Sequence, residues 1–188
     1  MRYFGAGKIT RFMFPRRRAH MIFAPSGDQR GLTNSPAALA DDPRTLTLLG
    51  YYQKFAGHSD EARATFTRAA AAMKPTPDSV VVIDARNLPC YLAWVYAGLG
   101  EKEKALEQAR HAVTDYDNDA LVKPFAEASL AIVEAQTGEI DSAISALPHL
   151  LEVPNGETCS DLQLNPLWDP LRKDPRFQKL CSGALSEN

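Results

Sequence analysis

The residues of this chain that could do chemistry are scattered, and none completes a known catalytic pattern. The Gly7-Lys8 pair has only part of a phosphate-binding loop around it. Arg2 stands where that loop needs its first glycine, and Ile9 stands where it needs Ser or Thr. The sequence also lacks Gly-x-Ser-x-Gly, His-Glu-x-x-His and the protein-kinase motifs. We therefore predict that the chain is not an enzyme and that it takes no cofactor.

Residue types that bind metals do not form a known metal-binding motif. Asp115, Asp117 and Asp119 lie close together, but they lack the twelve-residue calcium loop with its central glycine and terminal glutamate. The four histidines are far apart in the sequence: His20, His58, His111 and His149. A shared metal site would need several such side chains at ligand spacing, so the sequence predicts no metal site.

The cysteines give a prediction about redox state. Cys90, Cys159 and Cys181 are odd in number, widely spaced and without a Cys-x-x-Cys pair. A disulfide framework or a zinc knuckle usually shows closer or paired spacing. We therefore predict three free thiols in a reducing compartment, and hence a cytoplasmic protein.

Composition excludes several classes of protein. In 188 residues, hydrophobic types make up 45% and charged types 23%, as in ordinary globular proteins. No apolar run approaches the ~18 residues that a membrane-spanning helix needs. Residues 1–40 carry a net charge of +6, including Arg16-Arg17-Arg18, whereas residues 41–188 carry −8. We interpret residues 1–40 as a basic, poorly ordered leader, with nucleic-acid or anionic-surface binding as the alternative.

An internal repeat in the sequence predicts the helices that must position any functional side chain. Three segments, 56–63, 99–106 and 137–144, align without gaps. In each, a glycine (Gly57, Gly100 or Gly138) is followed by four mostly polar residues and an alanine. Glycine suits the left-handed position that follows a helix, and the polar residues suit the start of the next one. The sequence therefore predicts one helical hairpin written three times.

This pattern resembles the tetratricopeptide repeat (TPR). The matched positions are Leu46, Leu49, Gly50, Ala62 and Phe66 in the first copy, Leu92, Ala93, Tyr96 and Ala105 in the second, and Leu130, Ala131 and Ala143 in the third. The anchoring alanines are 43 and 38 residues apart, so the array is irregular. The resemblance implies an all-α fold: an αα-hairpin repeat array, a TPR-like right-handed superhelix of about three hairpins plus a C-terminal capping helix.

Capping residues, prolines and apolar periodicity predict where the helices begin and end. We predict helices over about 43–56, 59–73, 78–98, 102–115, 120–137 and 139–151, with a bend at Pro89. The repeat domain then covers residues 41–160. Residues 161–188 form a capping segment in which three Asx-Pro pairs begin short helical turns. We expect its apolar side chains to cover the exposed end of the last hairpin.

The tail carries a second resemblance. The stretch Trp168–Phe177, with the sequence WDPLRKDPRF, is similar to the segment that closes TPR modules of bacterial signalling proteins, among them serine/threonine kinases, adenylate-cyclase-like proteins and winged-helix regulators. In such proteins the catalytic or DNA-binding domain precedes the repeats, and nothing in this sequence resembles it. The resemblance implies a stand-alone or truncated sensory module.

The TPR resemblance also implies a binding surface, because the first helix of each hairpin lines a concave groove. Carried onto this sequence, the groove positions that we expect to bind a partner are Arg44, Thr47, Tyr51, Lys54, Asn87, Trp94 and Gln136. The function predicted is a non-catalytic protein–protein interaction scaffold that binds a protein or peptide. The alternatives are nucleic-acid binding through the basic head and an enzyme whose site the motifs miss. A competing interpretation makes Trp94 a core residue.

Overall fold

The computed structural model describes residues 42–73 and 88–182, and there it is helical. The predictions for the basic leader and for the helix start near Asp78 lie outside these residues. Within them are nine helices and no strand. They are α1 (Pro43–Phe55), α2 (Ser59–Ala72), α3 (Leu88–Leu99), α4 (Lys102–Asp115), α5 (Lys123–Thr137), α6 (Ile140–Glu152), α7 (Cys159–Leu164), a 3₁₀ helix (Pro166–Leu171) and α8 (Pro175–Leu180).

Side-chain caps begin four of these helices. Asp42, Asn165 and Asp174 each accept a hydrogen bond from a backbone N–H of the following turn, and each precedes a proline with a preset φ. Thr158 and Asp161 cap α7 reciprocally, each side chain accepting from the other's backbone N–H. Of the three Asx-Pro pairs predicted in the tail, those at 165 and 174 start short helices, whereas Asp169-Pro170 lies inside the 3₁₀ helix.

Consecutive helices pack against one another. α1 packs on α2, α3 on α4 and α5 on α6, while α2 and α4 also contact the first helix of the pair that follows. α3 contacts both α1 and α5. The face formed by α1, α3 and α5 is called the α1/α3/α5 face below.

The predicted glycine turns are confirmed as turns. Gly57, Gly100 and Gly138 have φ of 84°, 79° and 87°, and a Cβ added at any of them would meet nothing within 4 Å. Glycine is therefore favoured there by backbone conformation alone, because that region penalises residues with a Cβ.

At Gly50 and Gly98 glycine is required by lack of space and not by backbone conformation. The buried Phe66 ring of α2 lies against both, and an ideal Cβ would stand 2.6 Å from the ring at Gly50 and 2.5 Å at Gly98. Real carbon atoms do not approach so closely. α1 and α3 therefore come close to α2 only because both positions lack a side chain.

The C-terminal segment (residues 159–181) covers more than the end of the last helix pair. α8 packs on α6, as expected for a cap, but the 3₁₀ helix packs chiefly on α5. Leu162, Leu167, Trp168 and Leu171 are each at most 3% exposed and belong to the main core. Part of this segment therefore lies on the α1/α3/α5 face.

The prediction of three free thiols is wrong for two cysteines. Cys159 and Cys181 form a disulfide with Cα atoms 5.5 Å apart, whereas Cys90 is free and buried. The pairing escaped sequence reasoning because the two residues are 22 positions apart and meet only when the segment folds back. The prediction of a reducing compartment rested on three free thiols, so the disulfide removes its support.

Candidate functional site

Three of the seven predicted groove residues are buried in the structure. Thr47 is 0%, Tyr51 4% and Trp94 5% exposed, so none of them presents a surface to a partner. Tyr51 and Trp94 therefore lie in the core and not on the expected partner-binding surface, in agreement with the competing interpretation of Trp94. Asn87 lies outside the described residues.

Tyr51 and Trp94 join α1 to α3. The Tyr51 hydroxyl donates to the Trp94 carbonyl at 2.8 Å, and the two rings meet edge to face with centroids 6.4 Å apart. Burial raises the pKa of the Tyr51 hydroxyl, so it remains a donor at neutral pH. This aromatic contact positions the two helices.

Lys54 and Gln136 meet across the α1/α3/α5 face. The Lys54 Nζ donates to the Gln136 Oε1 at 3.2 Å, and the Gln136 Nε2 donates to the Leu167 carbonyl at 2.7 Å. Of the predicted groove residues, Gln136 therefore binds the backbone of the chain's own 3₁₀ helix, and Lys54 binds Gln136. Partial burial lowers the pKa of the Lys54 ammonium.

Arg44 lies apart from that pair. Its guanidinium is 3.6 Å from the Asp42 carboxylate at the start of α1. Ten residues separate Arg44 from Lys54 along the helix, a rise of about 15 Å at 1.5 Å per residue. The structure thus brings Lys54 and Gln136 together and leaves Arg44 at the other end of α1.

The structure also contains an apolar cleft that sequence reasoning missed. It lies between α1 and the start of the 3₁₀ helix, encloses about 20 Å³, and is lined by Leu48, Tyr51, Tyr52, Phe55, Asn165, Pro166 and Leu167. That volume holds roughly one water molecule. At its edge Tyr52 is 42% and Phe55 36% exposed. The spacing of Leu48, Tyr52 and Phe55 (i, i+4, i+7) is the sequence signal that could have indicated this face.

The histidine and aspartate side chains considered for metal binding contact nearby residues of the chain instead. His58, His111 and His149 lie beside Glu61, Asp115 and Glu127 respectively, at 3.3–3.4 Å. Asp117 pairs with Lys123 at 2.6 Å, and Asp119 accepts the backbone N–H groups of residues 121 and 122. Among the described residues, no group of three His, Cys, Asp or Glu side chains could hold a metal ion.

Cys90 is the free thiol of the described residues. Burial raises its pKa to about 11. A thiol with that pKa is almost entirely protonated at neutral pH, and the thiolate is the nucleophilic form. Cys90 therefore acts as a packing residue against Ala112 and Ala126.

Arg176 joins α8 to α6, and its pairing with Asp174 predicts a pH dependence. The Arg176 guanidinium lies 2.7 Å from both the Asp174 and the Asp141 carboxylates. Hydrogen bonds from Arg176 lower the pKa of Asp174 from 3.8 to about 2. A carboxylate with a depressed pKa stabilises the fold above its unfolded-state pKa, and that contribution disappears as the pH falls through the folded-state pKa.

Replacing Asp174 by asparagine keeps the helix cap and removes the charge. We expect Asp174→Asn to lower the urea midpoint of unfolding at pH 6 relative to the parent chain. The gap should close as the pH falls from about 4 to about 2, because the parent carboxylate then becomes neutral as well. Urea titrations of both chains at several pH values measure this. A gap of constant size across that range would contradict the assignment.

No match to this chain is found among protein-family models, curated proteins or solved structures. None of the helices in the part that the structure describes is long and apolar enough to cross a membrane.

Proposed function

We propose that this chain is a protein–protein interaction module of the TPR type. Its helices would form three αα-hairpins in a right-handed array, closed by the C-terminal segment. The packing of α1 on α2, α3 on α4 and α5 on α6 supports this arrangement, as do the left-handed glycines at the three predicted turns. The resemblance of Trp168–Phe177 to the closing segment of bacterial signalling modules supports a signalling role.

The observation that carries the proposal is the exposed aromatic edge of the apolar cleft. Tyr52 and Phe55 stand beside Leu48 and Pro166 at the junction of α1 and the 3₁₀ helix. Aromatic side chains contribute large contact area and dominate the energetics of many interfaces. The cleft itself is too small for a side chain of a partner, so binding would occur over its aromatic edge.

A peptide library displayed on phage tests this function with the full chain as bait. Selected peptides should bind the parent chain and lose affinity for a Tyr52→Ser/Phe55→Ser variant. Truncation of an interface hot spot costs ~2 kcal/mol or more, which corresponds to about thirtyfold in affinity.

The matched control is Leu121→Ser. Leu121 is 69% exposed and lies between α4 and α5, away from the residues that line the cleft. This variant should bind the peptides as the parent does, and all variants should keep their helical circular dichroism. Peptides that bind the Tyr52→Ser/Phe55→Ser chain as tightly as the parent would contradict the proposed surface.

A further inference from the structure

The α1/α3/α5 face already holds a peptide, and that peptide is part of the chain. The 3₁₀ helix lies on α5, and its first residues reach the cleft beside α1. Leu167 is 3% exposed, and Trp168 and Leu171 are fully buried. These side chains occupy the kind of position that an external ligand of this face would occupy.

The polar contact at this face recognises backbone. The Lys54 ammonium can only donate, and the Leu167 carbonyl can only accept. The Gln136 amide therefore has one orientation that serves both, with Oε1 toward Lys54 and Nε2 toward Leu167. A side-chain amide that holds a main-chain carbonyl would hold the same atom of any peptide that adopts this turn.

The docked turn is organised by its own residues. The Asn165 side chain accepts from the Leu167 N–H at 3.0 Å, and Pro166 presets the backbone. The Arg172 guanidinium donates to the carbonyls of Gln163 and Asn165 and pairs with Asp169. These contacts lie within the segment itself and do not depend on side chains of the α1/α3/α5 face.

The Cys159–Cys181 disulfide encloses this turn. Its two half-cystines bracket α7, the 3₁₀ helix and α8, and they are 22 residues apart. A cross-link of this loop length restricts the conformations open to the released segment and so favours the docked state. Once the disulfide is reduced, the segment is attached to the rest of the chain at its N-terminal end only.

Resting on the proposed function, we propose that Asn165–Leu171 is an internal ligand of the α1/α3/α5 face, and that the Cys159–Cys181 bond controls its exchange for an external peptide. The external ligand has the same chemistry: an Asx-Pro turn followed by leucine and an aromatic residue, with a free backbone carbonyl for Gln136.

The opening step is a thiol–disulfide exchange with a dithiol reductant. One thiolate of the reductant attacks a sulfur of the bond, and a mixed disulfide forms. The second thiol of the reductant then displaces the chain's sulfur. The S–S bond of the chain is replaced by S–H groups on Cys159 and Cys181. The reductant supplies two electrons and two protons and becomes a disulfide.

The test uses a fluorescent peptide with the sequence of residues 161–180, which contains no cysteine. Its binding to the full chain is measured by anisotropy before and after treatment with dithiothreitol, and to a Cys159→Ser/Cys181→Ser chain. We expect binding about tenfold tighter or more once the bond is absent, because loop closure no longer favours the internal copy.

Leu167→Ala, placed either in the peptide or in the chain, distinguishes exchange of the internal turn from a general loss of structure on reduction. Leu167→Ala in the peptide should weaken binding to the reduced chain. Leu167→Ala in the chain should strengthen binding of the unaltered peptide, because the internal competitor is then poorer. Leu164 is 60% exposed in the same segment, and Leu164→Ala should change neither measurement.

Three outcomes would overturn the proposal. They are equal affinity for the oxidised and reduced chains, no binding to a reduced chain that keeps its helical signal, and loss of that signal on reduction, which would make the bond a requirement for folding. If any of these outcomes is found while library peptides still depend on Tyr52 and Phe55, the proposed function stands and this inference fails. If the internal peptide is exchanged but no such library binder is found, this inference stands and the proposed binding surface at Tyr52 and Phe55 is wrong.

Discussion

Replacing Trp168 by alanine is expected to lower the free energy of unfolding of the disulfide-bonded chain by about 3–5 kcal/mol, the usual cost of truncating a buried Trp or Phe. Trp168 is 0% exposed and is the largest fully buried side chain among the described residues. It lies on the 3₁₀ helix that packs on α5 and α6. Its loss would leave a cavity at the junction of the C-terminal segment with the helix pairs. Urea unfolding followed by circular dichroism, without reductant, measures the change.

Leu164→Ala is the control for this prediction. Leu164 is 60% exposed and ends the short helix that precedes Trp168, so its truncation should change the free energy of unfolding by no more than about 0.5 kcal/mol. Equal effects of the two substitutions would mean that the C-terminal segment contributes little packing to the fold.

Helix positions were accessible from the sequence because their signals are local. Asp42-Pro43 predicts the start of α1, and a turn glycine follows shortly after its end at Phe55. The predicted spans 102–115 and 139–151 agree with α4 and α6 to within one residue. Caps, prolines and left-handed glycines act over a few residues, so a single sequence is enough to find them.

The side-chain roles were harder to predict because they depend on distant residues. Tyr51 is buried, and its hydroxyl bonds to the carbonyl of Trp94, 43 residues away. Gln136 faces the expected surface, yet its partner is Leu167, 31 residues along the chain. Periodicity shows which residues share a helix face, but not which later segment covers that face. The disulfide was missed for the same reason.

The covered face also changes what the resemblance to TPR proteins implies here. Groove positions carried over from the pattern assume an open concave surface, whereas this chain places its own turn on α5. The exposed apolar residues therefore lie at the boundary between α1 and that turn, where Tyr52 and Phe55 stand. Binding at this boundary and displacement of the turn are separate events, and the two peptide experiments measure them separately.

Replacing Gly98 by alanine is the second substitution with a large expected effect. An ideal Cβ at Gly98 would lie 2.5 Å from the Phe66 ring, and one at Gly50 would lie 2.6 Å from it. The ring is held between α1 and α3, so a shift away from one glycine meets the other helix. Overpacking costs up to about 3 kcal/mol, and alanine regains about 1 kcal/mol of helix propensity. We expect a net loss of about 2 kcal/mol in the free energy of unfolding, measured by urea titration.

A double-mutant cycle with Phe66→Leu isolates the cause. Leucine occupies less space than the ring, so Gly98→Ala in a Phe66→Leu background should cost little or should stabilise the chain through its helix propensity. The coupling between the two substitutions should then exceed about 1 kcal/mol, as for side chains in direct contact. Additive effects would show that the clash with Phe66 is not what excludes a side chain at position 98. In that case the close packing of α2 against α1 and α3 would need another explanation.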